Sequence, residues 1–377
     1  MHITNIGLHN WKNFADVDVN CGMRVFIIGP NAAGKSNFLD SLRFLKDVAQ
    51  HGLNKAVVDI RGGLKLIRYI NARSRPEISL SITLDSGWKY SLAFGGKSSA
   101  APVVIREVVE DDNGCTVLER PDDNDRSDPL RLCQTALEQV YANKDFRDIA
   151  TFLETIEYRH ILPQLVREPK SFSPKPVDND PFGRDLVFAI WKTPEKTRRA
   201  RLRRINKILR VAVPNLKDLD VVPSPVDGTP HFRVNYEHWR KNGAYQDESA
   251  FSDGTLRFLA LLWSLLDTGG PLLLEEPELS LHEGIVAKLP GFFAQIDKEK
   301  KKAARQIFIT THSDALLRDP GVGPQEVLML VPKDNGVEIL ETSEGDSVAM
   351  SKGGLTAADI LLPKTKPANI EQMELVK

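Results

Sequence analysis

The stretch Gly29-Pro30-Asn31-Ala32-Ala33-Gly34-Lys35-Ser36 constrains this chain more than any other. It matches G-x-x-x-x-G-K-[ST]. An apolar run, Val25 to Ile28, precedes it. A segment from Asn37 to Ala49 follows, in which Phe38, Leu39, Leu42, Leu45 and Val48 recur at helical spacing. A strand that enters a glycine turn and leaves as a helix aims backbone N–H groups and the helix N-terminus at one point, which makes a phosphate cradle. Gly29 and Gly34 allow the turn, the Lys35 ammonium can reach the β and γ phosphates, and the Ser36 hydroxyl can ligate magnesium. The fold class that places such a turn is α/β.

Composition narrows the classes further. A chain of 377 residues suggests two or three packing units. Lys plus Arg number 50 against 51 Asp plus Glu, so a wholly basic nucleic-acid coat is excluded, though a local basic patch is not. The cysteines (Cys21, Cys115 and Cys133) have no CxxC spacing, which excludes a disulfide framework and speaks against a cysteine-built zinc site. No apolar run reaches the roughly 18–20 residues that span a bilayer, and Met1 to Asn5 lacks the pattern of a signal peptide. The expected setting is cytoplasmic, with no membrane.

Along the chain, Ile78–Leu84 and Trp88–Phe94 alternate about Asp85-Ser86-Gly87 and predict a hairpin. Residues 110–130 predict a second hairpin and an exposed acidic loop, and Pro129 to Glu157 predicts helices. Glu168 to Pro181, with four prolines, reads as a linker, followed by helices from Arg184 to Arg210 and a mixed stretch to Phe251. Strand and helix then alternate to Thr311, and Asp334-Asn335-Gly336 marks a final hairpin.

Three further segments carry chemistry. Leu272-Leu273-Leu274-Glu275-Glu276 is an apolar strand ending in two carboxylates. Glu275 is placed to hold magnesium, and Glu276 to orient or deprotonate a water. Ile307 to Thr311 is another apolar strand, running into His312, which could sense a γ phosphate. Ser252-Asp253-Gly254-Thr255 opens a helix with Ser252 as its N-cap, and its free N–H groups suit an anion.

Taken in order, these segments resemble the ABC-type ATPase heads of the RecF/SMC/OLD class, and more narrowly the stand-alone prokaryotic AAA family ATPases of that class. Gly29–Ser36 corresponds to Walker A, Ser252–Thr255 to the signature, and Leu272–Glu276 to Walker B. Glu278–His282 matches the D-loop region and Thr310–Ser313 the switch histidine. The likeness runs from Asn10-Trp11-Lys12-Asn13-Phe14 to beyond Glu326. It implies a P-loop NTPase fold, an ABC head with an antiparallel β lobe and a helical lid. ATP and Mg2+ are the implied cofactors. The nucleotide would lie on Gly29, Pro30, Asn31, Ala32, Ala33, Gly34, Lys35, Ser36 and Asn37, with Ser252, Asp253 and Gly254 capping it from a second copy. Lys35, Glu276 and His312 would be catalytic, and Ser36, Gln164 and Glu275 would hold the metal. Gln164 fits a magnesium-contacting glutamine and equally an ordinary surface residue. Two departures stand out: Glu275 replaces the usual aspartate, and Ser-Asp-Gly-Thr replaces the Ser-Gly-Gly-Gln of transporters.

The segment Lys192–Arg210 carries nine basic residues and one acid, with Leu202, Ile205 and Leu209 on one helical face and Arg199, Arg203 and Arg210 on another. A contact to DNA phosphates, a solvated helix and a dock for an acidic partner all fit. The expected organisation is a nucleotide core of 1–165 and 246–377 with a lid of 166–245. The expected function is an ATPase switch in DNA surveillance or anti-phage defence. It would work as a homodimer or higher homo-oligomer through ATP-sandwiched heads, with a separate nuclease or effector chain. RecF-like loading at DNA gaps and an ATP-dependent assembly scaffold are the alternatives.

Overall fold

The computed structural model describes residues 1–72, 77–96, 101–169, 180–237, 244–299, 304–333 and 336–365. Their strands are β1 (Ile3–Trp11), β2 (Phe14–Asn20), β3 (Arg24–Ile28), β4 (Ile78–Leu84), β5 (Lys89–Gly95), β6 (Val103–Glu110), β7 (Thr116–Arg120), β8 (Glu157–Arg159), β9 (Leu216–Pro223), β10 (Pro230–Tyr236), β11 (Ala244–Gln246), β12 (Leu272–Glu275), β13 (Ile307–Thr310), β14 (Val327–Lys333) and β15 (Gly336–Glu341). The chain divides into two compact units, Met1–Glu157 with Gly269–Leu273 and Arg305–Lys377, and Tyr158–Thr268 with Leu274–Ala304. The domain limits expected near 165 and 246 both fall within the second unit, so a lid of 166–245 stands as a proposed insertion there.

The first unit contains an antiparallel sheet of order β2-β1-β4-β5-β6-β7. The alternation read in Ile78–Leu84 is realised: Ile78, Leu80, Ile82 and Leu84 are buried and the residues between them half-buried. A second sheet has the order β15-β14-β3-β13-β12-β8. Its core is parallel, with β3 between β13 and β14. The apolar run before the phosphate loop is therefore a central strand, covered on both faces, which is why it lacks alternation. Buried Gln306 ties the two sheets: its amide donates to Ile3 O and Gly22 O, and its oxygen accepts from Ile3 N. At the tail, β14 and β15 pair antiparallel as expected, although Asp334 and Asn335 lie outside the described residues.

Two expectations need correction. The acidic loop after β7 is in part a short helix, Asp123–Ser127, whose Asp125 is fully buried and pairs with Arg120 at 2.9 Å. The helices expected over 129–157 shrink to Arg147–Glu154, preceded by two short 3-10 turns. The reason is buried Glu107 on β6. Its carboxylate accepts from Ala136 N, Leu137 N, the Tyr90 hydroxyl and Arg120. Backbone donors that a helix would have used internally are spent on a charge that burial makes costly to leave unpaired.

In the second unit the mixed stretch of the sequence is an antiparallel sheet of order β11-β10-β9, so the proposed lid is sheet as well as helix. Residues 170–179 of the expected linker lie outside the described residues. The helix Glu195–Ala212 buries Leu202, Ile205 and Leu209, as their spacing predicts. Two of its cations are structural: Arg198 stacks over Trp191 at 4.4 Å, while Arg201 stacks over Trp263 at 5.2 Å and pairs with Asp267 at 2.9 Å.

The helix that follows the phosphate loop, Lys35–His51, is anchored through Asp40. Lys12 and Arg61 approach its carboxylate at 2.7 and 2.9 Å, and Arg61 also reaches Asp47 at 2.8 Å. Burial alone would raise the Asp40 pKa, but the charges and hydrogen bonds of Arg61 and Lys12 outweigh it and lower it from 3.8 to about 2. A depressed carboxylate contributes stability above its unfolded pKa and loses it as pH falls through the folded value. At about 1.4 kcal/mol per unit the contribution is on the order of 2 kcal/mol. Asp40→Asn is expected to unfold at lower denaturant concentration at pH 7. The gap to the parent should close as pH falls from about 4 towards 2, measured by urea unfolding at several pH values.

Candidate nucleotide site

In the first unit the site begins with strained backbone. The chain leaves β3 at Gly29, passes Ala32 at φ 63° and Gly34 at φ 95°, and enters the helix at Lys35. Left-handed backbone turns successive N–H groups towards one point, and a non-glycine residue adopts it only when the surroundings enforce it. The enforcement comes from the hairpin joining β1 and β2. The Asn13 side chain donates to Ala33 O at 3.0 Å and accepts from the Asn37 amide at 2.8 Å. The Trp11 indole donates to Asn37 O at 2.9 Å. A Cβ on Gly34 would lie 2.0 Å from the Asn13 amide nitrogen, and one on Gly29 2.8 Å from Leu330 O. Gly34 is thus required by conformation and packing together, and Gly29 by packing alone.

Lys35 Nζ donates to Gly29 O and Pro30 O, each at 3.1 Å, which holds the ammonium at the mouth of the loop. Asn31, Ala32 and Ser36 are exposed, Pro30 and Asn37 are half-buried, and Ala33 is buried. His312 is exposed two residues beyond the end of β13, which runs parallel to β3 with Thr310 opposite Ile27. The phosphate loop and His312 therefore leave the same end of adjacent parallel strands, where open α/β sheets bind ligands.

The second unit holds the other predicted residues. Ser252 caps the helix Asp253–Leu266, its hydroxyl accepting from Thr255 N. Asp253 pairs with Arg167. Gly254 packs against the D-loop segment: a Cβ there would lie 2.5 Å from Ser280 O. That segment carries its own strain, with Glu276 at φ 42° and Ser280 at φ 61°. Left-handed conformation at a bulky residue is a recurrent mark of functional sites. The Tyr158 hydroxyl donates to Glu275 at the end of β12, which fixes that carboxylate. Gln164 is exposed on the short helix Pro163–Arg167.

Sequence reasoning missed Asn13 as the clamp, Tyr158 as the partner of Glu275, and Arg257. Burial lowers the Arg257 pKa while Asp253 and Glu276 act to raise it, so this guanidinium lies in the field of both the signature helix and the second carboxylate. Arg257 was visible in the sequence only as one more surface-type cation.

A family profile described as "AAA domain, putative AbiEii toxin, Type IV TA system" matches residues 24–318. The chain belongs to this family. It is 41% identical over 58 residues to "Endonuclease GajA" of Bacillus cereus (strain VD045), a match that covers 15% of this chain and only 10% of that protein. Among solved structures it is similar to an SMC head bound to the C-terminal winged-helix domain of ScpA, with TM-score 0.55 and 15% identity over 92% of this chain and 100% of that one. It is also similar to an SMC head with an extended coiled coil bound to the C-terminal domain of ScpA derived from Pyrococcus furiosus, with TM-score 0.51 and 14% identity over 93% and 98%. At such identities the likeness is one of fold: the chain is an AAA-family P-loop ATPase with the fold of an SMC head. Among the described residues no helix is long and apolar enough to cross a membrane.

Asn13→Ala removes the partner of Ala33 O and of the Asn37 amide. It is expected to weaken nucleotide binding about tenfold, because broken loop hydrogen bonds cost roughly 1–2 kcal/mol, while the fold is retained. Titration with a fluorescent ATP analogue, beside circular dichroism, measures this. Gly254→Ala is expected to destabilise the chain by roughly 1–3 kcal/mol, read by urea unfolding, because its contact is backbone against backbone.

Proposed function

We propose that this chain is an ATP-hydrolysing switch that pairs with a second copy through ATP and acts in DNA surveillance or anti-phage defence, in the cytoplasm, with a separate nuclease or effector chain. The observation that carries the reading is the clamped phosphate loop: left-handed Ala32 and Gly34 are held by Asn13, with Lys35 at the mouth. Such strain makes sense where N–H groups must converge on phosphate. The short match to a relative named an endonuclease supports the defence setting, and SMC heads described with bound ScpA domains support a partner chain.

The donors suit magnesium. Ser36 offers a hydroxyl, and Glu275 a carboxylate already oriented by Tyr158. Magnesium prefers such hard oxygens and completes its shell with phosphates and water. When bound, it would neutralise charge on the β and γ phosphates. In this reading Lys35 binds the phosphates, Glu276 positions and deprotonates the attacking water, and His312 senses the γ phosphate. Ser252 and Gly254 cap the nucleotide of the second copy.

Magnesium-dependent turnover is expected to require Lys35 and Glu276. Lys35→Ala should lose nucleotide binding. Glu276→Gln should keep it while turnover falls about 10²–10⁴-fold, the range for loss of a general base. Equal turnover in Glu276→Gln and the parent would exclude Glu276 as the base. Absence of turnover in the parent, with ATP-driven pairing intact, would favour the scaffold alternative. Sedimentation should show ATP-dependent pairing, trapped by Glu276→Gln and blocked by Ser252→Arg. Mixing Ser252→Arg with Lys35→Ala leaves one composite site with both halves intact, so part of the missing activity should return. A chain that stays monomeric with ATP and turns over at a rate independent of its concentration would refute the pairing.

A further inference from the structure

Within the second unit, the sheet of β9, β10 and β11 has one closed face and one open face. Leu219, Val221, Phe232 and Val234 are buried on the closed face. On the other, the alternation places Asp218 opposite Asn235 and Asp220 opposite Arg233, with Asn235 paired in turn to Tyr245. This open face and the helix Glu195–Ala212 enclose a groove of about 550 Å³, with Arg199 and Arg203 on its helical rim. A second groove of about 350 Å³, lined by His231, Phe232 and residues 222–225, shares Arg233 and Tyr245 with the first. The two concavities are therefore divided by one ridge. There the Arg233 guanidinium lies 5.6 Å from the centre of the Tyr245 ring, and the tyrosine is 61% exposed.

We infer that this pair of grooves binds a single-stranded nucleic acid, with Tyr245 as its stacking platform. Four observations support that chemistry. An exposed aromatic ring backed by a guanidinium is a surface on which a base of any sequence can stack. Arg203, and Arg199, whose exposed pair with Glu195 at 2.6 Å a phosphate would compete for, give one rim the charge that phosphates require. Asp218, Asp220 and the Asn235 oxygen, which is buried without a hydrogen-bond partner among the described residues, form the opposite wall. Acceptors there would repel a phosphate but receive the exocyclic amino groups of bases, so phosphates follow the rim and bases point inward. Two linked concavities on either side of a ridge suit a linear, flexible chain. A duplex keeps its base faces stacked inside and could not use the tyrosine.

The inference deepens the nucleic-acid side of the proposed function and rests on that reading. It concerns residues outside the nucleotide machinery, so the two fail separately. The test is fluorescence anisotropy on the full chain with a labelled oligodeoxycytidylate of about 20 nucleotides, whose bases carry the exocyclic amino group and which is longer than the site of one stacking fold. An oligocytidylate RNA and a matched duplex are the comparison probes, and polyglutamate is the competitor. The single strand should bind more tightly than the duplex, and the DNA and RNA arms name the strand. Tyr245→Ala should weaken it about 5–100-fold, the range for removal of one base stack, while Tyr245→Phe stays within about twofold. Arg199→Gln with Arg203→Gln should reduce the salt slope by roughly 0.7 for every phosphate that is no longer neutralised. Basal ATP turnover of Tyr245→Ala should equal that of the parent. Duplex binding as tight as the single strand, an unchanged affinity in Tyr245→Ala, no strand binding at all, or displacement by polyglutamate as effective as by unlabelled strand would each overturn the inference. The last would make the grooves a dock for an acidic peptide.

Discussion

The nucleotide end of the first unit depends on one backbone constraint, the left-handed turn at Ala32 and Gly34. Such a turn is unfavourable for a free chain, above all at an alanine. It persists because a hairpin tip some twenty residues earlier reaches back and ties both sides of it. Asn13 bridges Ala33 and Asn37, Trp11 bonds Asn37 O, and Lys12 pairs with Asp40 on the same helix. Three consecutive residues of one hairpin thus hold the loop and the first turns of its helix. The central parallel strand β3 then delivers the turn to the open end of the sheet.

The second unit uses the same economy of contact. Gly254 lies so close to Ser280 O that no side chain fits between them, so the signature helix and the D-loop segment pack backbone to backbone. Arg257, one turn along that helix, lies in the field of Glu276. The left-handed backbone at Glu276 and Ser280 marks this segment as one whose shape is imposed by its neighbours.

Charge is handled differently at the surface and in the core. Glu107, Arg120 and Asp125 form a buried node in which each charged group has several partners, and a whole segment after β7 is shaped to supply them. On the helix Glu195–Ala212, by contrast, Arg198 and Arg201 lie over tryptophans while Arg199 and Arg203 edge an open groove. One basic run therefore contains arginines held against tryptophans and arginines that edge a groove, one of which, Arg199, also pairs with Glu195 at 2.6 Å.

That division shows what was legible in the sequence. The phosphate loop, the strands around it, the capped signature helix and the apolar face of the basic helix were readable because each depends on residues a few positions apart. Glycines in a turn, alternation in a strand and threefold-to-fourfold spacing in a helix are all local patterns. The clamp by Asn13, the hydroxyl of Tyr158 on Glu275, the segment bent around Glu107 and the ridge of Arg233 on Tyr245 were not readable. Each joins residues brought together only by strand pairing or by a buried charge demanding partners. A side chain's neighbours along the chain decide whether it can form a turn or a face. Its neighbours in space decide what that turn or face is held by, and those were settled only when the sheets closed.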